Sequence, residues 1–256
     1  MITTRRQALN RIAAGTIGCA CCAASAGAWA ASDKANWSYD GEAGPTSWGD
    51  LHGEFQACSA GTEQSPINLV NPIPSQIAAP EIAWNAGPAE VTNNGFTIQV
   101  NVAPGSQVRV DNQTYELLQF HFHHPSEHLL DGRAEALEVH FVHRAASNDL
   151  TVIGVFFRTG RENPALQAVW DAMPASKDAP AGEAMVSPMD FLPSDPAQFR
   201  YNGALTTPPC SEIVHWICYR SRIEASPAQI EAFAGMFPMN ARPVQPLHRR
   251  FLLLGG

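Results

Sequence analysis

The sequence predicts one β-dominated domain with a few short peripheral helices. Three observations carry that reading. Short runs of alternating apolar and polar residues recur between turn-forming dipeptides. Nineteen glycines and 20 prolines supply the corners that such a fold needs. Helix-like stretches are few. The 256 residues are 45% hydrophobic and 16% charged, which argues against disorder and for a thick core. Sixteen Lys plus Arg against 24 Asp plus Glu give a formal charge of −8, a balance that disfavours nucleic acid as a partner.

The first thirty residues read as an address rather than as part of the fold. Thr4-Arg5-Arg6-Gln7-Ala8-Leu9 leads into an Ala/Gly-rich stretch that ends Ala28-Trp29-Ala30, the pattern of a twin-arginine export signal with a small-residue cleavage site. The competing reading, a frayed helix in a cytosolic protein, is weakened by the lack of any acidic residue before Asp33. Cys19 after Ile17-Gly18 also allows a lipoprotein reading, but without the usual leucine. Cleavage after Ala30 leaves residues 31–256 as a single domain, with 13 basic against 24 acidic residues and a formal charge of −11. The expected destination is the periplasm or the exterior. No apolar run in the mature chain reaches the ~18 residues of a membrane span.

Processing removes Cys19, Cys21 and Cys22 and leaves Cys58, Cys210 and Cys218. An oxidising compartment permits one pair. Cys58 and Cys210 lie in turn-rich sequence, whereas Cys218 lies inside the apolar run 213–219 and reads as a small core residue. A Cys58–Cys210 bridge would contribute roughly 5 kcal/mol in the chain-entropy account. The alternative is three free thiols.

Strands are expected over 95–102, 108–110, 115–123, 136–143, 151–157 and 213–219, with turns at Asn93-Asn94-Gly95, Pro104-Gly105, Asp131-Gly132 and Asn148-Asp149. Helices are expected over 164–173 and 227–237, each opened by a capping residue and a proline, Asn163-Pro164 and Ser226-Pro227. The proline-rich segment 174–197 reads as an irregular surface excursion.

Four of the nine histidines crowd into residues 121–128. Residues two apart on a strand share a face, so Gln119, His121 and His123 point one way and Leu118, Phe120 and Phe122 the other. A second strand repeats the arrangement, with Glu138, His140 and Val142 on one face. Three neutral imidazoles leave one vertex of a tetrahedral zinc open, which marks a catalytic rather than a closed structural site. Gln119 and Glu138, each two residues before a histidine, are placed to orient the ligand rings. A lone His-x-His is weak evidence; two such strands with polar neighbours in register are stronger. A jelly-roll cupin site is the rival, but position 115 is Tyr where that motif wants glycine, and 129–139 holds no proline.

The chain resembles the alpha-class carbonic anhydrases, specifically their exported bacterial members, from Trp37-Ser38-Tyr39 to the C-terminus. The landmarks are Gln64-Ser65-Pro66-Ile67-Asn68, Asn93-Asn94-Gly95, the segments 119–128 and 138–143, Leu205-Thr206-Thr207-Pro208-Pro209-Cys210-Ser211-Glu212 and the stretch 240–247. The resemblance implies a central, twisted, mostly antiparallel sheet and a conical cavity reaching zinc on His121, His123 and His140. It implies reversible hydration of CO2 to bicarbonate and a proton by a zinc-bound hydroxide. Thr206 would accept the hydroxide proton while donating its own to Glu127, with Thr207 lining the same side. Val142, Val152, Leu205, Val214 and Trp216 match the family's apolar substrate pocket; without the family they would read as ordinary core.

One departure bears on turnover. Fast members of the family carry a proton-relaying histidine where this chain has Phe96, so no efficient shuttle is expected. His124, by parity, faces away from the metal, and His128 and His143 read as hydrogen-bonded structural residues. A catalytically silent, carbonic-anhydrase-like binding module is the other reading; loss of a ligand histidine would be its mark, and all three are present. The sequence sets no oligomeric state.

Overall fold

The computed structural model describes residues 36–256, so the expected export signal, its cleavage site and Cys19, Cys21 and Cys22 lie outside the described residues. Fifteen strands follow in chain order: β1 (Asn68–Leu69), β2 (Ile73–Pro74), β3 (Glu81–Ala83), β4 (Gly87–Asn93), β5 (Ile98–Val102), β6 (Gln107–Val110), β7 (Gln113–His123), β8 (Leu129–Leu130), β9 (Leu137–Arg144), β10 (Leu150–Thr159), β11 (Gly182–Val186), β12 (Gln198–Gly203), β13 (Val214–Tyr219), β14 (Ile223–Ala225) and β15 (Leu253–Gly255). The helices are α1 (Trp48–Leu51), α2 (Ala57–Ala60), α3 (Pro164–Trp170) and α4 (Pro227–Ala234). No described helix is long and apolar enough to cross a membrane.

Thirteen strands form one sheet whose main path runs β11-β4-β5-β7-β9-β10-β13-β12-β15-β2. Most neighbours are antiparallel; β10 pairs in parallel with β13 and β14, and β15 with β2. One face carries the main apolar core, with Phe120, Phe122, Val139, Phe141, Ile153 and Ile217 among its fully buried members. Helices α3 and α4 cover that core through Leu166, Val169, Trp170 and Phe233. Their starts are locked together as well as capped. Asn163 accepts from the Leu166 N–H, Ser226 and Gln229 form a reciprocal capping box, and Gln229 also accepts from the Asn163 N–H.

The structure departs from the sequence reading in several places: the helices end at Trp170 and Ala234 rather than at 173 and 237, and β4 and β12 lie outside the expected strands. The excursion 174–197 holds β11, which adds antiparallel to β4, and a 3-10 turn that buries Phe191. The prolines bound this edge strand rather than interrupt it. The strand expected from residue 95 begins at Ile98, because Gly95 has φ +85° and the Asn94 side chain accepts from the N–H groups of Phe96 and Thr97. On β7, Leu117 rather than Leu118 joins Phe120 and Phe122 in the core. A register shift between Leu117 and Gln119 inserts one unpaired residue against β9 and reverses the parity upstream.

Cys58 in α2 and Cys210 form a disulfide across a sequence separation of 152, with Cα atoms 5.0 Å apart, and Cys218 is a buried free thiol. Both expectations hold.

Candidate metal centre

The β7–β9 ladder sets His121 directly opposite His140 and His123 opposite Glu138. The same register continues across the sheet. Gln119, Val142, Val152, Trp216 and Tyr201 form one cross-strand row, and His121, His140, Gly154, Cys218 and Phe199 form the next. Sequence-distant residues are thereby laid side by side on the face away from the main core. Three residues expected in the apolar pocket, Val142, Val152 and Trp216, are consecutive members of one row. All three are buried, as is Val214. The Trp216 ring meets the edges of His140 and His128, at centroid distances of 4.8 and 4.7 Å.

Ligand atoms of His121, His123 and His140 lie within 4.8 Å of one another. Each ring is held by one nitrogen. His121 Nδ1–H donates to Gln119 Oε1 at 2.9 Å, His123 Nδ1–H to the Asn240 carbonyl at 2.7 Å, and His140 Nε2–H to Glu138 Oε1 at 2.8 Å. The other nitrogen of each ring makes no hydrogen bond. For His123, 1% exposed, that leaves a buried Nε2 without a partner. Burial lowers the pKa of His121 far below its ordinary value, with His123 and His140 adding to the effect, and burial also lowers His123. Neutral rings with one fixed N–H and one free lone pair are what a metal ligand requires. His121 is half-buried, so the cluster reaches toward solvent on that side.

Glu138 serves a second imidazole. His128 donates to it from Nδ1 at 2.8 Å and from its main-chain N–H at 2.9 Å. Burial would raise this carboxyl, but His128 and His140 outweigh it and hold Glu138 below the usual carboxylate range. His128 Nε2 lies 2.6 Å from the Tyr201 hydroxyl, which donates to Ser65 Oγ at 2.9 Å. The grouping of His128, Glu138 and His140 is therefore a hydrogen-bonded support rather than a second metal site.

The structure places Glu127 against the same cluster, 1% exposed. Its Oε1 accepts from the Arg242 main-chain N–H at 2.9 Å. Its Oε2 has no hydrogen-bond partner and lies 3.5 Å from His123 Nε2 and 3.8 Å from His140 Nδ1. The expected Thr206-to-Glu127 hydrogen bond is thus not made; Oε2 is turned toward the imidazoles. Thr206 is buried, while Thr207 and Leu205 are half-buried. Their loop is closed by the Cys210 N–H on the Thr207 carbonyl, the Leu205 N–H on Ser211 and the disulfide.

Phe96 stacks on Trp37 at 4.0 Å with an interplanar angle of 10°, beside Tyr39 and Trp48. His124 donates its main-chain N–H to Asn240 Oδ1, and its ring lies 3.1 Å from the Pro238 carbonyl. His143 is buried between Trp84 and the Thr151 carbonyl. Sequence reasoning missed Asn240, Arg242, Tyr201 and Ser65 as parts of the site; Asn240 and Arg242 lie in the landmark stretch 240–247 and Ser65 in 64–68.

A family model for eukaryotic-type carbonic anhydrases matches residues 43–254. A carbonic anhydrase of Nostoc sp. is 46% identical over 226 residues, 85% of each chain. One of Pectobacterium carotovorum is 41% identical over 225 residues, 87% of this chain and 92% of that one. The alpha-carbonic anhydrase of Thermovibrio ammonificans, solved with the inhibitor sulfanilamide, superposes with a TM-score of 0.81 at 40% identity, covering 86% of this chain and 99% of that chain. The chain belongs to the eukaryotic-type carbonic anhydrases, the alpha class of these enzymes.

Proposed function

We propose that the chain hydrates CO2 reversibly to bicarbonate and a proton, with zinc held by His121, His123 and His140. The observation that carries the reading is the convergence of three rings, each fixed through one nitrogen, with the other free of any hydrogen bond. The donor set fits: three neutral imidazoles suit zinc and leave a vertex open. Zinc, when bound, supplies the Lewis acidity that brings the pKa of its water to about 7, a figure for which carbonic anhydrase is itself the reference case.

The chain's own residues do the rest. Gln119, Glu138 and the Asn240 carbonyl fix the tautomer and orientation of the three rings. Glu127 Oε1 is taken by Arg242, so the Thr206 proton would go to Oε2, which must first turn from the imidazoles it faces in this structure. An ionised carboxylate only accepts, so Thr206 donating to it keeps its oxygen lone pairs for the nucleophile's proton. Val142, Val152, Leu205, Val214 and Trp216, beside Thr207, form an apolar wall that suits uncharged CO2 better than bicarbonate and favours product release. Phe96 cannot titrate, so proton release depends on water and buffer. The arginine pair and Ala-x-Ala segment at the N-terminus, together with the Cys58–Cys210 disulfide, support export of the chain to an oxidising compartment.

The test is stopped-flow CO2 hydration on protein of measured metal content, with and without a chelator. Activity should track one zinc per chain, vanish on chelation and return with added zinc. A zinc-loaded protein that leaves CO2 hydration at the uncatalysed rate would replace this reading with the silent binding module.

A further inference from the structure

A cavity of about 610 Å³ lies apart from the metal centre, between β12, β13 and the C-terminal segment. On β13, His215 alternates with Trp216, whose ring meets His140, so His215 leaves the strand on the opposite face. The cavity volume falls within the range of small-molecule sites, and its walls include Ile77, Tyr201, Phe251 and Leu253. Phe251 is 70% exposed, a large apolar ring with nothing over it among the described residues.

Three of the five charged groups on this cavity are cationic, Arg200, Arg249 and Arg250, against Glu63 and Asp111. Arg200 is 3% exposed. Its Nη1 meets both oxygens of Asp111 at 3.2 Å and Nη2 donates to the Ala78 carbonyl, but its buried Nε has no acceptor. Such an unpaired donor carries a desolvation cost that a suitable acceptor would relieve. Arg250 donates only to main-chain carbonyls, those of Leu247, Asn202, Gln64 and Pro246, and lies 5.5 Å from the Tyr201 ring centroid. No carboxylate pairs with it directly. Arg249 and the rings of His215 and His248 have no hydrogen bond or ion pair among the described residues. The two acids on the cavity are Asp111, already engaged by Arg200, and Glu63. A locally positive concavity in a chain of formal charge −8 selects anions, and its apolar walls and size exceed what bicarbonate would fill.

We propose that this cavity binds a small organic monoanion, a carboxylate on a compact apolar body. The carboxylate is set among Arg200, Arg249 and His215, and the body against Phe251 and Leu253. The test uses zinc-loaded, ¹⁵N-labelled protein titrated with benzoate, followed by NMR at the backbone amides. Saturable shifts at Asn202, His215 and Phe251 are expected, on an isotherm separate from any shift at Thr206 and Thr207. Benzyl alcohol, the neutral counterpart, should bind about tenfold more weakly or less, because it cannot make a charge-assisted pair. The exposed-site variants Arg249→Glu and Phe251→Ala should each weaken benzoate binding by about tenfold, with CO2 hydration unchanged. Shifts confined to Thr206 and Thr207, benzyl alcohol binding as tightly as benzoate, or wild-type affinity in both variants would each overturn the proposal.

Discussion

Gly154 stands directly opposite His140 in the β9–β10 ladder, and a Cβ added there would lie 3.0 Å from Glu138 Oε1 and 3.4 Å from Cys218 Sγ. The absent side chain leaves room for the carboxylate that orients the His140 ring. Gly154→Ala forces either β10 or Glu138 to shift. The expected cost is about 1–3 kcal/mol of stability by overpacking and a zinc affinity lowered about 10–100-fold by disturbing the ring's partner. Thermal unfolding and chelator competition measure the two effects separately. A lowered Tm with unchanged zinc affinity would show that the strand absorbs the methyl without moving Glu138.

Glu127 presents one oxygen to the Arg242 N–H and leaves the other free among the imidazoles. Glu127→Gln keeps the shape but replaces one acceptor by an NH₂ donor. In the proposed active arrangement, with the second oxygen turned from the imidazoles to Thr206, that donor faces either the Arg242 N–H or the Thr206 hydroxyl, and in the second case Thr206 reverses its proton. Turnover should fall by about 100-fold, the scale of losing one oriented hydrogen-bonding group in a catalytic site. Zinc content and circular dichroism should stay as in the wild type. Unchanged stopped-flow rates would remove Glu127 from the mechanism.

Phe96 lies flat against Trp37, so the position is well ordered but offers no proton acceptor. Hydration by the wild type should therefore rise with buffer concentration over the millimolar range. Phe96→His keeps a flat ring able to stack and adds an imidazole that titrates near neutrality. The variant should be faster than the wild type at low buffer and similar at high buffer. Buffer-independent turnover in the wild type would mean that another group already relays the proton.

The metal-centre strands were legible because period-2 alternation on β7 and β9 is local: parity puts His121 and His123 on one face of one strand and His140 with Glu138 on one face of another, and the resemblance joined them into one ligand set. The Leu117/Gln119 register shift was not, since a bulge is defined by the partner strand and leaves no mark in a single run of residues. The parallel pairing of β10 with β13 depends on chain that returns after more than 50 residues, and no turn dipeptide signals it. Glu138 behind His140 was legible, but the outer part of that support was not, for the same reason. Tyr201 is 73 residues from His128 and 136 from Ser65 along the chain, and only the finished sheet brings them into contact. β11 was hidden by the prolines on either side of it, which read as irregular sequence and in fact delimit an edge strand.

His143 gives the fold a defined acid response. Its ring is buried on the core face, with Nε2 accepting from Trp84 Nε1–H at 3.0 Å and Nδ1–H donating to the Thr151 carbonyl at 3.2 Å. Protonation would set a second N–H against the Trp84 donor at a fully buried ring. Burial pushes this imidazole down to about 3, against an ordinary value near 6.5, with the hydrogen bond to Thr151 only partly opposing it. Because the folded value lies below the unfolded one, the unfolded chain takes up the proton first. The contribution is complete above about pH 6.5 and drains as pH falls toward about 3. One proton gives a slope approaching 1.4 kcal/mol per pH unit across that window, roughly constant once the unfolded ring is charged. Denaturant unfolding at pH 7, 5 and 4 should show a steeper loss for the wild type than for His143→Gln, which starts less stable but has no ring to protonate. Carboxylates common to both proteins cancel in the comparison, so parallel stability curves for the two would show that His143 is not the group being titrated.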